Sequence, residues 1–229
     1  TRYVAALLQS MGLRVVAVRH PMPYGDLAAQ TCQRFETHAD LVRHDCTIEE
    51  REEYEPHIDA GVVVYAGVDY GAILREAEAE ADVVLWDGGN NDLPFYVPDL
   101  HIVLADPLRP GDEAAYHPGE ANVRMADLVI IAKCDSATAE DIAAVEASVQ
   151  ALNPGAEVLR CDSPVTLDDP AAVTGRRVVV VEDGPILTHG SMSFGAGVIG
   201  ARDAGAAAIV DPTPFAVGAL ADTYKRYPN

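Results

Sequence analysis

Asp87 closes the apolar run Asp82-Val83-Val84-Leu85-Trp86 and is followed directly by Gly88 and Gly89. A carboxylate in that place can hold Mg²⁺, while two glycines let backbone N–H groups approach a phosphate. The competing reading is a tight turn capped by aspartate. Arg19, His20, Arg34, Arg109 and Arg124 are candidate phosphate clamps, because a guanidinium presents paired donors at a fixed spacing. For any one of them a surface ion pair is the commoner role in a chain so rich in carboxylates. His38, His44 and His57 lie among acidic residues but lack the spacing of a transition-metal site. The run Glu49-Glu50-Arg51-Glu52-Glu53-Tyr54-Glu55 reads as a solvated helix face, with Asp45 upstream of it as a candidate Mg²⁺ ligand. Residues 188–197, with His189 among them, combine glycines and hydroxyls ahead of a helix and suit an anion at a helix N-terminus, although loop flexibility alone explains such a composition.

The elements that must position these groups are short apolar strands alternating with helices. A helix through Val4, Leu7 and Leu8 stops at Gly12 and feeds a strand over 13–18. Further strands are predicted at 61–65, 82–86, 101–105, 128–132, 157–160 and 177–181, with helices over 70–81 and 138–152, the latter capped by Thr138. That alternation predicts one α/β domain spanning 1–229, with a mostly parallel sheet and helices on both faces. In such sheets ligands sit at the carboxyl ends of the strands, and here five strand ends carry charge.

Composition narrows the partners. The 229 residues carry 36 Asp and Glu against 16 Lys and Arg, a net charge of −20, which repels nucleic acid and anionic membrane. Any anionic substrate must then be held by a few local cations. The four cysteines form no Cys-x-x-Cys pair, so reduced thiols in a cytoplasmic protein are expected. No run is long and apolar enough for a membrane span. The chain opens at Thr1 without an initiator Met, so N-terminal sequence is expected to be missing.

Lys133 and Asp135 resemble the Asn/Thr-Lys-x-Asp motif with which GTPases read their base; Ala132 replaces the Asn or Thr, which leaves adenine open. Four longer motifs are more specific. Val18-Arg19-His20-Pro21-Met22-Pro23-Tyr24-Gly25-Asp26, the segment His44-Asp45-Cys46-Thr47-Ile48-Glu49-Glu50-Arg51, Trp86-Asp87-Gly88-Gly89-Asn90-Asn91-Asp92, and Glu182-Asp183-Gly184-Pro185 with Thr188-His189-Gly190 resemble the cyclic 2,3-diphosphoglycerate synthetase family, in order along essentially the whole chain. Its members are P-loop NTPase-like, and many bacterial ones are labelled GTPases. The resemblance implies a missing first strand and Walker A loop just before Thr1, and a short missing piece at the C-terminus.

What it implies for function is an ATP- or GTP- and Mg²⁺-dependent ligase that closes 2,3-diphosphoglycerate into a cyclic phosphoanhydride. Arg19, His20 and Asp87 are then the catalytic residues, and Arg19, His20, Arg109, Arg124 and His189 hold substrate phosphates. Lys133, Asp135, Gly88 and Gly89 bind the nucleotide, and Asp45 with Asp87 holds the metal. A second copy of the chain is a candidate partner, since enclosing a doubly phosphorylated substrate often recruits a second surface. Two rivals stay open: a GTPase of the metal-insertion or maturation type, and a non-enzymatic anion-binding module.

Overall fold

The computed structural model describes residues 1–20, 22, 25–89, 92–182 and 192–226. The chain divides into two compact units, Thr1–Cys161 and Asp162–Asn229.

In the first unit α1 (Arg2–Ser10) ends where Gly12 takes a left-handed φ of 84°, and the chain turns into β1 (Val15–Arg19). β2 (Gln33–Phe35), α2 (His38–Arg43), α3 (Ile48–Asp59), β3 (Val63–Ala66), α4 (Tyr70–Glu80) and β4 (Val83–Asp87) follow. The four strands form one sheet in the order β2-β3-β1-β4, in which β3 and β4 run parallel to β1, and β2 is antiparallel to β3. The period of two along β1 explains the layering. Val15 and Ala17 pack with Ala5 of α1, while Val16 and Val18 pack with Ile73 and Ala77 of α4 on the other face. Along β3, Val64 and Ala66 meet Leu41 of α2 and Tyr54 and Ile58 of α3. Helices therefore cover both faces of this sheet. Each fully buried aliphatic side chain contributes roughly 1.5–3 kcal/mol, which fixes the register of Arg19 opposite Asp87.

A second sheet holds β5 (Ile102–Ala105), β6 (Leu128–Ile131) and β7 (Glu157–Arg160), all parallel. α5 (Asp112–Ala115) and α6 (Gly119–Met125) lie between β5 and β6 in sequence, and α7 (Ala139–Leu152) between β6 and β7. Val103, Ala105, Val129 and Ile131 pack against Val123 of α6 and Ile142, Val145 and Val149 of α7. Ile102 and Leu104, pointing the other way, are 36% and 56% exposed. Among the described residues, then, buried apolar packing covers one face of this sheet. Thr138 caps α7, its hydroxyl accepting the Asp141 N–H at 3.1 Å.

The second unit contains β8 (Arg177–Val178) and β9 (Ala208–Ile209), paired in parallel, with α8 (Ala196–Asp203) between them and α9 (Ala219–Arg226) after. The strand expected over 177–181 is thus two residues long and belongs to a separate small sheet. Among the described residues it pairs with β9 alone, which is equally short. No helix of the described residues is long and apolar enough to cross a membrane.

Candidate functional site

β1 and β4 end side by side, and their register sets Arg19 beside Asp87. Arg19 Nη1 donates to the Asp87 backbone carbonyl at 2.8 Å and lies 3.3 Å from its Oδ2, and the same guanidinium pairs with Glu53 of α3. His57, also on α3 and 4% exposed, places Nε2 3.0 Å from Asp87 Oδ2. The Thr1 hydroxyl donates to Asp87 Oδ1. Burial by itself would push the Asp87 carboxyl up. The hydrogen bonds from His57 and Thr1, with the charges of Arg19 and His57, outweigh it and hold the group at about 2. Asp87 is therefore a firmly ionised carboxylate at a strand end, with a hydroxyl beside it.

The loop after β4 uses its polar groups internally. Gly89 N–H donates to Asp92 Oδ2 at 3.1 Å, and His20 Nδ1 lies 3.1 Å from the same carboxylate. Gly88 is required by packing: a Cβ there would stand 2.5 Å from Trp86 Nε1. Beneath it Trp86, Tyr70, Phe95 and Tyr96 form an aromatic cluster, in which Tyr70 stacks on Phe95 with centroids 4.2 Å apart.

A second charged group forms where β5 and β6 end. Lys133 Nζ donates to Asp106 Oδ2 at 2.7 Å, and Arg109 lies 3.3 Å from Asp106 and 3.5 Å from Asp112. Lys133 itself has φ 57°, an uncommon left-handed conformation for a residue with a side chain. Burial opposes ionisation of Asp106, but the Lys133 hydrogen bond, the Leu108 N–H and the charges of Lys133 and Arg109 hold its carboxyl below the usual range. Asp135 lies two residues further on, in the turns before α7.

The other candidates are placed apart from these groups. Arg124 pairs with Glu120 at 2.6 Å on the exposed side of α6 and reaches the Leu152 carbonyl, at the helix ends that lead into β6 and β7. That is the end of the strands opposite the charged rim. Asp45 sits in the turn after α2 with φ 51° and is not among the described partners of Asp87. Arg34 is engaged by Glu80 at 2.7 Å and Glu36 at 2.8 Å. His189 lies outside the described residues, as does most of the 188–197 segment. At its described end, the N–H groups of Gly195, Gly197 and Val198 donate to the chain's own Glu182 carboxylate at 3.1, 3.3 and 2.9 Å.

Thr1 and His57 are partners that spacing did not assign to Asp87, and Glu53 is one it did not assign to Arg19. Glu50 also departs from the solvated face expected for its segment. It is 3% exposed because it closes a capping box with Thr47 and accepts Gln30 Nε2 at 3.0 Å. Among the described residues no group of three or more His, Cys, Asp or Glu side chains is arranged to hold a metal ion. One carboxylate and one hydroxyl still fit Mg²⁺, which takes few protein ligands and completes its shell with water and nucleotide phosphates.

Residues 57–161 match a family model described as the P-loop domain of cyclic 2,3-diphosphoglycerate synthetase. The chain is 60% identical over all of its 229 residues to arginine synthetase ArcE of Thermococcus kodakarensis, and spans about half of that relative's length, 51%. Hydrogenase maturation factor HypB of Archaeoglobus fulgidus aligns with 69% of this chain and 84% of its own at 17% identity, with a TM-score of 0.30, a likeness too slight to bear on function. The parallel α/β architecture and the aspartate closing β4 accord with the likeness of residues 57–161 to the cyclic 2,3-diphosphoglycerate synthetase P-loop domain.

Proposed function

We propose that the chain is the nucleotide-handling part of a nucleotide-dependent synthetase whose second substrate is a nitrogen compound of low negative charge, with arginine as the product. The observation that carries this reading is the pairing of the rim cations. Arg19, Arg109 and Lys133 are each already matched by a carboxylate of the same chain, and His20 Nδ1 lies 3.1 Å from Asp92. Holding a bisphosphate would require those pairs to be exchanged inside a molecule of net charge −20. A substrate with little negative charge needs no such exchange. The 60% identity to a protein named arginine synthetase supports the same assignment.

In this reading Thr1 and Asp87 hold Mg²⁺, which would neutralise charge on the nucleotide phosphates when bound. Asp87 stays ionised across the physiological range because of His57, Thr1 and Arg19. His57 orients the carboxylate through Oδ2, and Arg19 fixes the strand end through the backbone carbonyl. Lys133 and Asp135 are assigned to the nucleotide base, and Ala132 in place of Asn or Thr leaves ATP open beside GTP. In arginine formation the oxygen of a ureido substrate would accept a phosphoryl group from the nucleotide, a nitrogen nucleophile would then bond to the ureido carbon, and the C–O bond would break so that the oxygen leaves as phosphate.

The second reading is closure of 2,3-diphosphoglycerate into its cyclic phosphoanhydride, favoured by the description of the matched family. Microscopic reversibility separates the two. The full-length protein supplied with Mg²⁺, arginine and either ADP with phosphate or AMP with pyrophosphate is expected to produce ATP. If as much ATP appears without arginine as with it, or none appears at all, arginine formation is ruled out. Upfield pyrophosphate-type ³¹P signals growing from 2,3-diphosphoglycerate and ATP would establish the second reading.

A further inference from the structure

Three polar side chains of α3 share one face of the helix. Glu50, Glu53 and His57 are spaced by three and four residues, which sets them one above the other. Glu50 is held inside by its capping box and by Gln30, and His57 is held against Asp87. With that face anchored on both sides, the turn between brings Glu53 to the end of β1, where its carboxylate pairs with Arg19 Nη2. Arg19 Nη1 already donates to the Asp87 carbonyl at 2.8 Å. Both terminal nitrogens of the guanidinium are thus engaged within the chain.

The depth of the carboxylate differs from one rim cation to the next. At the ends of β5 and β6 it lies below the cations: the Asp106 side chain is 17% exposed, against 29% for Arg109 and 35% for Lys133. At the end of β1 the order is reversed. The Arg19 side chain is 11% exposed and that of Glu53 36%. A solute approaching here meets a carboxylate before it meets the guanidinium behind it. A free phosphorylated acid is repelled at that point, whereas a neutral or cationic nitrogen group is not. Mg²⁺ carries a nucleotide past the same charge by cancelling much of the charge on its phosphates. Placing a repulsive group in the path of the wrong ligand is a general route to specificity.

Resting on the synthetase reading above, we propose that Glu53 is a specificity-determining residue, which acts through Arg19 by keeping that guanidinium out of reach of phosphorylated acids. The end of β1 is thereby reserved for substrates of low negative charge.

The test titrates the full-length protein, at one fixed ionic strength, with 2,3-diphosphoglycerate, inorganic phosphate and L-arginine. Glu53→Gln keeps the shape and removes the charge. It is expected to bind both phosphate compounds about 10- to 100-fold more tightly than the wild type, the range for gaining a hydrogen bond between charged groups, and to gain nothing for L-arginine. Glu52→Gln removes the same charge from the neighbouring exposed position and is expected to stay within about twofold of wild type. Adding Arg19→Gln to Glu53→Gln is expected to abolish the gain. Equal phosphate affinities in the wild type and Glu53→Gln overturn the proposal, as does a gain that survives the loss of Arg19, is matched by Glu52→Gln, or extends to L-arginine. Should Glu53→Gln fail to fold, Glu53→Ala decides by the same titrations. Tighter phosphate binding by Glu53→Gln in a protein that makes no ATP from arginine keeps the filter and removes the synthetase reading. ATP made from arginine with no such tightening does the reverse.

Discussion

Asp87 and Glu113 are both largely buried carboxylates of the first unit, and their surroundings are opposite. Asp87 has a histidine, a hydroxyl and an arginine on it, and sits at about 2 as a result. Glu113 has one backbone N–H and an oxygen left over. A carboxylate saturated by its own chain is preorganised as a fixed negative charge, with little left to gain from a further cation beyond a metal at its open side. The contrast is between a carboxylate held in place by several side chains and one held by a single backbone N–H.

Asp87→Asn is the most damaging way to break this comparison. It should lower nucleotide-dependent turnover of the full-length protein by roughly 100-fold or more, since the charge is removed where the proposed function places metal and phosphate. Turnover within a few-fold of wild type would remove Asp87 from the chemistry. His57→Ala comes next: it deletes a buried ring and the 3.0 Å contact to Asp87, and should cost roughly 2 kcal/mol in urea unfolding.

Acid titration sharpens the same point. The folded Asp87 titrates at about 2 against an ordinary value of 3.8, so its stabilisation is complete above about pH 4 and is lost as pH falls through 2. The difference in unfolding free energy between wild type and Asp87→Asn should therefore shrink over that window by roughly 2 kcal/mol. Comparing the two proteins cancels the relief of general charge repulsion on acidification. Glu113→Gln should behave in the opposite sense, leaving stability unchanged or raising it by up to about 1 kcal/mol in a melting experiment, because no cationic partner is lost. Smallest of all, Arg124→Ala should stay within about 0.5 kcal/mol of wild type and leave turnover alone, as expected of an exposed helix pair away from the rim.

The apolar runs made β1, β3, β4, β5, β6 and β7 legible from sequence, and Thr138 and Gly12 marked helix ends where the structure has them. β2 was not legible, because Gln33-Arg34-Phe35 carries no apolar run and is extended only through its pairing with β3. α5 is a single turn set by Gly111 and Glu113, too short for any periodicity. At the site, Arg19 and Asp87 were visible as strand ends. Thr1 and His57 were not assigned to Asp87, nor Glu53 to Arg19, since these partners are distant in sequence and only tertiary packing brings them together. Burial is the missing quantity in each case: nothing in the spelling of residues 49–55 separates the inward Glu50 and Tyr54 from their exposed neighbours. The unpartnered oxygen of Glu113 is likewise a property of its packed surroundings and not of the local sequence.

The aromatic cluster under the Gly88 turn has an optical consequence. Trp86 is the only tryptophan in the chain, and it immediately precedes Asp87. Tyr70 and Tyr96 stand 5.1 and 5.4 Å from its ring, close enough to pass excitation to it efficiently. Indole emission from these 229 residues is therefore a built-in spectroscopic probe of the corner of the molecule around Asp87, and needs no attached dye.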